Sequence, residues 1–258
     1  MNHVRTSILS TLAMTCAACL GLASFAASAV PIHVPLADAA GSQSWTSPVI
    51  GDPHGTLTLT GWAYDSGVWQ GALMAYKHSS LAETGMGVAC TQAQKKLPHN
   101  ECGQHEIGAA PWQMIDMNIS QLTGWSSLTI NLGSVNATAI GNGGGPGGDE
   151  TGYLLGANCA VGTVGAWCTS PKVLASCTNF GLAHSATCSF ELTYAELLGI
   201  SDIWVTPSQT NPAGSNNANI LLGSDFVLNA VPEPAALGIF GFGLLLLGLF
   251  ARLRRRFD

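Results

Sequence analysis

The stretch Thr56-Leu57-Thr58-Leu59-Thr60 alternates polar and apolar side chains over its whole length. Successive side chains of a β-strand point to opposite faces, so this alternation predicts a strand with one buried face. Threonine is β-branched and favours extended backbone, which supports the same interpretation. The period of two recurs at 128–132 and at 188–192. The sequence therefore predicts a domain assembled from half-buried strands.

Short segments rich in glycine, proline, asparagine and aspartate lie between the predicted strands. Such turn signals stand at 51–53, 65–67 and 211–214. Many short strands joined by tight turns are typical of an all-β, antiparallel β-sandwich, in which two sheets bury their facing side chains. The further strand candidates are 71–77, 112–118, 203–206 and 220–229. The side chains expected between the sheets include three tryptophans, Trp62, Trp125 and Trp204.

One short helix is expected in this all-β domain. Thr193 and Glu196 have the spacing of a capping box, in which each side chain bonds a free backbone N–H of the first turn. Gly199 stands where a helix of about two turns would end. We therefore predict a helix after Thr193 that packs Leu197 and Leu198 on a sheet edge.

The charge pattern excludes nucleic-acid binding. Between Val30 and Val231 the chain has four lysines, no arginine and thirteen carboxylates. A polyphosphate is bound through clustered lysine and arginine side chains, and a body with this excess of carboxylates repels it. Only 9% of all residues are charged and 47% are hydrophobic, which predicts a folded core rather than a disordered chain.

The N-terminus has the three parts of a secretory signal peptide. Arg5 supplies positive charge, an apolar run follows, and Ala27-Ser28-Ala29 forms a small-residue cleavage site. We therefore predict a signal peptide over 1–29 that is removed on export. An N-terminal extension, 30–55, and an ectodomain, 56–230, are predicted to follow it.

The C-terminus predicts a single membrane helix. Residues 235–251 are all apolar or glycine and would span about 25 Å as a helix, close to the ~30 Å of a hydrocarbon core. A basic tail, 252–256, follows at once, and positively charged segments remain in the cytoplasm. The body of the protein is therefore expected on the far side of the inner membrane. The tail contains Arg252, Arg254, Arg255 and Arg256.

Pro232-Glu233-Pro234 stands directly before this predicted helix. Two prolines prevent regular hydrogen-bonded structure, so the tripeptide is expected to stay extended, with Glu233 as a charged handle. Together with the helix and the basic tail, the segment 231–258 resembles the PEP-CTERM sorting signal of Gram-negative bacteria. The resemblance implies recognition by exosortase, a membrane processing enzyme. It also implies delivery from the inner membrane and periplasm to the cell surface or the extracellular matrix.

The body is also similar to the β-sandwich ectodomains often found ahead of this signal. The similarity lies in an early Thr-Leu-Thr-Gly-Trp strand at 58–62, a Gly-Met-Gly-Val stretch at 85–88, and a last strand that runs into the Pro-Glu-Pro. It supports the predicted fold, and it implies no catalytic residue.

Six cysteines remain after removal of the signal peptide, and an even count in an exported domain predicts disulfides. We favour pairing of sequence neighbours, as Cys90–Cys102, Cys159–Cys168 and Cys177–Cys188, with other pairings open. As an alternative, Cys90 and Cys102 with His99, His105 and Glu106 offer zinc ligands. An oxidising periplasm disfavours the free thiols that such a site needs, so we predict no metal and no cofactor.

The segment 141–152 is dominated by glycine. It lacks the Gly-Lys-Ser/Thr ending of a phosphate-binding loop, so we interpret it as a flexible loop between strands. Asp149 and Glu150 are the candidates for calcium there, because carboxylates suit hard cations. A single Gly-Gly-x-Gly-x-Asp pattern indicates calcium only weakly, since such sites require stacked repeats.

The sequence lacks the hydrolase signatures Gly-x-Ser-x-Gly, His-Glu-x-x-His and Ser-x-x-Lys. We therefore predict a non-enzymatic exported protein associated with exopolysaccharide or biofilm. Two alternatives stay open: a carbohydrate- or calcium-binding module, and a hydrolase built from Glu106, Asp116 and His105. The carbohydrate-binding alternative would use an aromatic platform for sugar rings, made of Trp62, Tyr64, Trp69 and Tyr76.

Overall fold

The structure is a computed structural model of a β protein. It describes residues 31–48, 50, 54–65, 67–80, 83–92, 95, 106–108, 112–135, 151–158, 171–178, 186–207 and 219–231. The predicted signal peptide, 1–29, and the predicted membrane helix, 235–251, lie outside these residues. No helix within the described ranges is long and apolar enough to cross a membrane.

The described residues form fourteen strands and one 3₁₀ turn, Ala37–Ala39. In chain order the strands are β1 (Pro31–Pro35), β2 (Ser44–Thr46), β3 (Thr58–Asp65), β4 (Val68–Gly71), β5 (Met74–His78), β6 (Thr84–Val88), β7 (Ile107–Gly108), β8 (Gln113–Asn118), β9 (Trp125–Val135), β10 (Thr151–Ala157), β11 (Lys172–Thr178), β12 (Ala186–Thr193), β13 (Asp202–Thr206) and β14 (Asn219–Ala230). Every described strand pair is antiparallel, which confirms the all-β class.

The strands divide into two sheets of seven. Sheet A has the order β12-β9-β14-β6-β5, and β1 and β7 also pair with β14. The long strand β14 therefore meets β9 along one side and β7, β6 and β1 in turn along the other, which makes it the central strand of sheet A. Sheet B has the order β11-β10-β13-β8-β3-β2, with β4 paired to β3.

The two sheets pack face to face around one main hydrophobic core. The alternating stretch behaves as predicted, because Leu57 and Leu59 are fully buried whereas Thr58 and Thr60 are partly exposed. Both sheets contribute fully buried side chains to this core, among them Ile115 and Ile203 of sheet B and Leu128 and Phe226 of sheet A. This packing confirms the predicted sandwich arrangement.

Residues 30–55, predicted as an extension ahead of the domain, supply two of its strands. β1 pairs with β14 over its whole length, and β2 pairs with β3. The compact unit accordingly runs from Pro31 to Ala230, which corrects the predicted start at residue 56. The strand β1 could not be predicted from the sequence because two of its five residues are proline. Proline is tolerated in a sheet only on an edge strand or at the end of a strand.

The short helix predicted after Thr193 is a hydrogen-bonded turn instead. Its cap is present, since the Thr193 N–H and hydroxyl each donate to Glu196 Oε2 at 2.7 Å. One helical backbone bond follows, from the Leu197 N–H to the Thr193 carbonyl at 3.2 Å, and Gly199, with a φ of 81°, ends the turn. The chain must then enter β13 at Asp202 in the other sheet, which leaves too few residues for a helix.

Candidate functional site

A polar groove crosses the outer face of sheet A. It has a cavity volume of about 250 Å³ and lies over β12, β9, β14 and β6. Asn131 faces this side because its neighbours Ile130 and Leu132 are fully buried in the core. The polar side chains that line it, called the groove residues below, are Thr84, Asn131, Thr187, Ser189, Ser224 and Asp225.

Two irregularities in strand pairing shape the groove. On β14 three residues, Gly223, Ser224 and Asp225, stand opposite the single residue Asn131 of β9. On the other side of β9 the register shifts again at Thr187 of β12, which faces two β9 residues. Bulges of this kind bend a strand and redirect its side chains. The groove residues of β9, β12 and β14 therefore lie beside two bulges.

Glycines allow β14 to lie close to its neighbours β9 and β6 at the groove. A Cβ at Gly223 would lie 2.7 Å from the Cβ of Asn131, and a Cβ at Gly85 would lie 2.1 Å from the backbone oxygen of Leu222. Neither position has room for a side chain. Ser134, beside the second bulge, has a φ of 56°, which is uncommon for a residue other than glycine.

Some groove residues are already hydrogen-bonded. Asp225 Oδ2 lies 2.9 Å from Nδ1 of His33, and the Thr84 hydroxyl donates to the Ser80 carbonyl at 2.5 Å. The four others have no side-chain hydrogen bond within the described ranges: Asn131, Thr187, Ser189 and Ser224. The groove therefore combines occupied and available polar groups.

The predicted Cys177–Cys188 disulfide is present, with 6.0 Å between the two Cα atoms. It joins β11, at one edge of sheet B, to β12, at one edge of sheet A. The bond is therefore a bridge between the sheets and not merely the closure of a local loop. Thr187 and Ser189 flank Cys188 and line the groove, so the disulfide also fixes one of its walls.

Cys90 is also disulfide-bonded, to a partner outside the described residues. This corrects the zinc alternative, since a sulfur in a disulfide is not the thiolate that zinc requires. Among the described residues, no three His, Cys, Asp or Glu side chains cluster as metal ligands. The remaining cysteines and the calcium candidates lie outside the described ranges: Cys102, Cys159, Cys168, Asp149 and Glu150.

The predicted aromatic platform is part of a second apolar cluster, on the outer face of sheet B. Its aromatic members are Trp62, Tyr64, Trp69, Trp112, Tyr153 and Trp204. The rings of Trp69 and Trp112 are 4.6 Å apart between centroids and are only 4% and 3% exposed, which leaves them little open face for a sugar. Tyr76 packs against the main core instead. These rings therefore act chiefly as a small second core.

The three tryptophans expected between the sheets are divided. Trp125 packs in the main core, as expected, whereas Trp62 and Trp204 belong to the outer cluster. On β13 the neighbours Ile203 and Val205 are fully buried in the main core. Because side chains alternate along a strand, Trp204 between them faces the opposite side.

Asp116 is a buried carboxyl group on the same outer face of sheet B. On β8 it stands opposite Thr60 of β3 and Trp204 of β13. Burial, and to a smaller extent the charge of Asp202, raises the pKa of Asp116 to about 8. Its Oδ1 atom is buried and has no hydrogen-bond partner among the described residues. Asp116 is therefore protonated at neutral pH.

Glu106, the other carboxyl considered for a hydrolase, is bound to sheet A. Its Oε1 lies 2.6 Å from Nζ of Lys77 on β5 and accepts a hydrogen bond from the Ser134 hydroxyl of β9. Burial lowers the pKa of Lys77, but the hydrogen bonds and charges of Glu106 and Glu83 together outweigh burial, so the pKa is raised. Glu106 is thus held at sheet A whereas Asp116 lies on sheet B, and His105 lies outside the described residues.

The fold and its bonded cysteines define a disulfide-containing all-β protein. Residues 230–256 match a known family, the PEP-CTERM protein-sorting motif, and the chain carries this motif as its sequence predicted. The match is consistent with an exosortase substrate. The tripeptide Pro232-Glu233-Pro234 and the basic tail, 252–256, fall within it and lie outside the described residues.

Among solved structures, the cleaved K2 adhesin domain of Lys-gingipain is similar over 77% of this chain and 97% of its own length. The sequence identity is 11% and the TM-score is 0.34, too low for a conclusion about fold or function. No curated protein matches the sequence.

Proposed function

We propose that this protein is exported and sorted by exosortase through its C-terminal Pro-Glu-Pro signal to the cell surface or extracellular matrix. There it has a non-enzymatic role in association with exopolysaccharide. Its precursor is held in the inner membrane, with the body in the periplasm, until the signal is processed. The match of residues 230–256 to the PEP-CTERM motif is the observation that carries this proposal.

The end of the folded domain supports processing at this point of the chain. The match begins at Ala230, which is also the last residue of β14. Phe226 and Leu228 of β14 are fully buried in the core, and they precede the signal. Removal of the tail after β14 therefore leaves every described strand in the domain.

Disulfide bonding supports an oxidising destination. Cys177 and Cys188 are bonded to each other, and Cys90 is also disulfide-bonded. Structural disulfides persist in the periplasm and outside the cell and are rare in the cytoplasm. The bonded cysteines therefore favour the export route.

The environments of the buried carboxyl groups support a role without catalysis. Glu106 is held by Lys77 and Ser134, and Asp116 is buried in an aromatic cluster with its proton retained. Neither presents a free carboxylate to a substrate. The low charge of the chain, 9% of its residues, suits contact with a hydrated and largely neutral polymer.

Replacement of Pro232, Glu233 and Pro234 by alanine tests the sorting route. We expect the triple variant to accumulate at full length in the inner membrane, whereas the wild-type protein reaches the surface without residues 244–250. Cell fractionation followed by intact-mass measurement distinguishes the two forms. Pro212→Ala, which changes a predicted turn outside the motif, is the control and should be processed normally. Unchanged mass and surface display of the triple variant would contradict the proposal.

The association with exopolysaccharide is tested in cells that do not make the polymer. We expect the processed protein to move from the matrix fraction to the culture medium in such cells, because its binding partner is absent. An unchanged matrix fraction would remove exopolysaccharide from the proposal and leave the sorting route intact.

A further inference from the structure

We propose that the groove on sheet A binds one ring of a neutral sugar. This inference rests on the proposed association with exopolysaccharide, and it names the surface that makes the contact and the class of sugar it accepts. Four features of the groove carry it: available hydrogen-bonding groups, size, charge and a preformed shape.

The groove offers polar groups that the protein does not use. On sheet B, hydroxyl side chains bond one another across strands, as Ser44 and Thr60 do at 3.2 Å. Asn131, Ser189 and Ser224 have no such side-chain bond within the described ranges. One amide and two hydroxyls supply both donors and acceptors, which is the combination that the hydroxyl groups of a sugar need.

The size of the groove suits a single ring. Its volume of about 250 Å³ lies just below the ~300–1,000 Å³ of pockets that hold drug-sized ligands. Thr187 and Ser189 on its β12 wall are exposed to solvent. A polymer can therefore place one residue in the groove while the rest of the chain remains in water.

Charge selects a neutral sugar over an acidic one. Asp225 is the charged side chain among the described residues that line the groove, and it is bonded to His33. The body as a whole has thirteen carboxylates and four lysines. A sugar with a carboxylate or sulfate group would meet repulsion there, with no lysine or arginine among the described lining residues to offset it.

The groove is also preformed. The glycine contacts at the β14 bulge fix the distance between β14, β9 and β6, and the Cys177–Cys188 bridge fixes β12. A rigid site loses little conformational entropy when it binds a ligand. Binding therefore requires no rearrangement of the sheet.

Binding is measured with the full chain in phospholipid nanodiscs, because glycosidic detergents would compete with the ligand. The probes are glucose, galactose, mannose, N-acetylglucosamine and the acidic sugar glucuronate. Saturation-transfer NMR detects their binding, and calorimetry measures the dissociation constants. We expect at least one neutral sugar to bind with a dissociation constant on the order of 1 mM, and glucuronate to bind about tenfold more weakly or not at all.

Two variants test the groove and one is the matched control. Asn131→Ala should weaken binding about tenfold, which corresponds to the loss of one or two hydrogen bonds. Ser224→Ala should weaken it several-fold in the same direction. Ser44→Ala removes one hydroxyl from the outer face of sheet B, and it should change sugar binding by less than about twofold. Thermal melts confirm that all three variants are folded.

Three results would overturn the inference. The first is that no neutral sugar binds at about 50 mM, a concentration far above a millimolar dissociation constant. The others are a loss of sugar affinity in Ser44→Ala equal to that in Asn131→Ala, and tighter binding of glucuronate than of the neutral sugars. The groove variants should be processed and displayed like the wild type. If the wild-type protein reaches the surface and binds no sugar, this inference fails and the sorting proposal stands. If the wild type is not processed at all, the sorting proposal fails whatever the binding result.

Discussion

The outer face of sheet B and the groove on sheet A use polar side chains in opposite ways. On sheet B, regular register places hydroxyl groups opposite one another, and they bond in pairs, as at Thr46–Thr58 and Thr151–Thr178. On sheet A, bulges on both sides of β9 offset the strands, and neither Asn131 nor Ser224 makes a side-chain bond to any described residue. Strand register, more than residue type, therefore decides whether a polar side chain stabilises the sheet or stays available to a ligand.

The two sheets also treat their buried carboxyl groups differently. Glu106, at sheet A, has a cation 2.6 Å away on Lys77. Asp116, on sheet B, has no cation beside it among the described residues, and burial raises its pKa to about 8. One sheet thus compensates a buried carboxyl with a positive charge, and the other retains a proton.

Asp116→Asn is expected to have the largest effect on stability. The native carboxyl keeps its proton up to a pKa of about 8, whereas the unfolded chain loses it near 3.8. Between these values the unfolded state binds fewer protons, so the stability of the wild type falls as the pH rises, by about 1.4 kcal/mol per pH unit. Asparagine has no proton to lose. The variant should therefore exceed the wild type by roughly 4–6 kcal/mol at pH 8.

Urea denaturation between about pH 4 and pH 8 measures this difference. Near pH 4 the two proteins should differ in stability by less than about 1 kcal/mol, because the pH is then close to the value of 3.8 at which the unfolded chain begins to lose the Asp116 proton, and this is the internal control. An equal fall in stability of both proteins over this range would show that the native carboxyl is ionised.

Lys77→Met removes the positive charge that compensates the buried carboxylate of Glu106 at sheet A. It leaves Glu106, whose side chain is 3% exposed, without its cation, and loss of one partner of a buried pair costs about 3–5 kcal/mol. The double variant Lys77→Met with Glu106→Gln should recover part of this loss, because no charge is left buried. Denaturation at neutral pH compares the two variants. A double variant less stable than Lys77→Met would contradict the pairing.

Removal of the bridge between the sheets has the next largest effect. The double variant Cys177→Ala with Cys188→Ala removes a disulfide whose two cysteines are 11 residues apart in sequence. The free energy of unfolding should fall by about 3 kcal/mol. Hydrogen exchange should quicken first in β11 and β12, because both are edge strands. Exchange that quickens equally in all strands would contradict a local bridge.

The smallest expected effect on stability comes from comparing Thr58 of sheet B, which is hydrogen-bonded across strands, with Asn131 of the groove. Thr58→Ala removes a cross-strand partner of Thr46 and should cost about 0.2–1 kcal/mol. Asn131→Ala loses no side-chain hydrogen bond and should stay within about 0.5 kcal/mol of the wild type. Thermal denaturation measures both. A larger loss for Asn131→Ala would mean that its amide supports the fold.

The strands with clear alternation were predictable from sequence. The segments 56–60, 128–132 and 188–192 fall largely within β3, β9 and β12, because burial of one face imposes a period of two. The three-residue strand β2 is too short to display a period. The hydrogen bonds between Thr193 and Glu196 formed as predicted. The predicted helix did not form, because the chain must cross from one sheet to the other within a few residues and tertiary structure outweighs local propensity.

The groove could not be predicted as a whole. A bulge depends on how strands distant in the chain are paired, and Asn131 and Ser224 come together through β9 and β14 alone. Gly223, inside the predicted strand 220–229, is the one signal that the sequence offers, since a glycine within a strand pattern suggests a bulge. Serine and threonine are too frequent along the chain to mark the site.

β14 is both the central strand of sheet A and the strand that leads into the sorting motif. A pull applied to the C-terminus along the strand direction is therefore borne first by β14. Antiparallel hydrogen bonds run perpendicular to the strands, so the ladders to β9 and β1 would have to shear together instead of opening one bond after another.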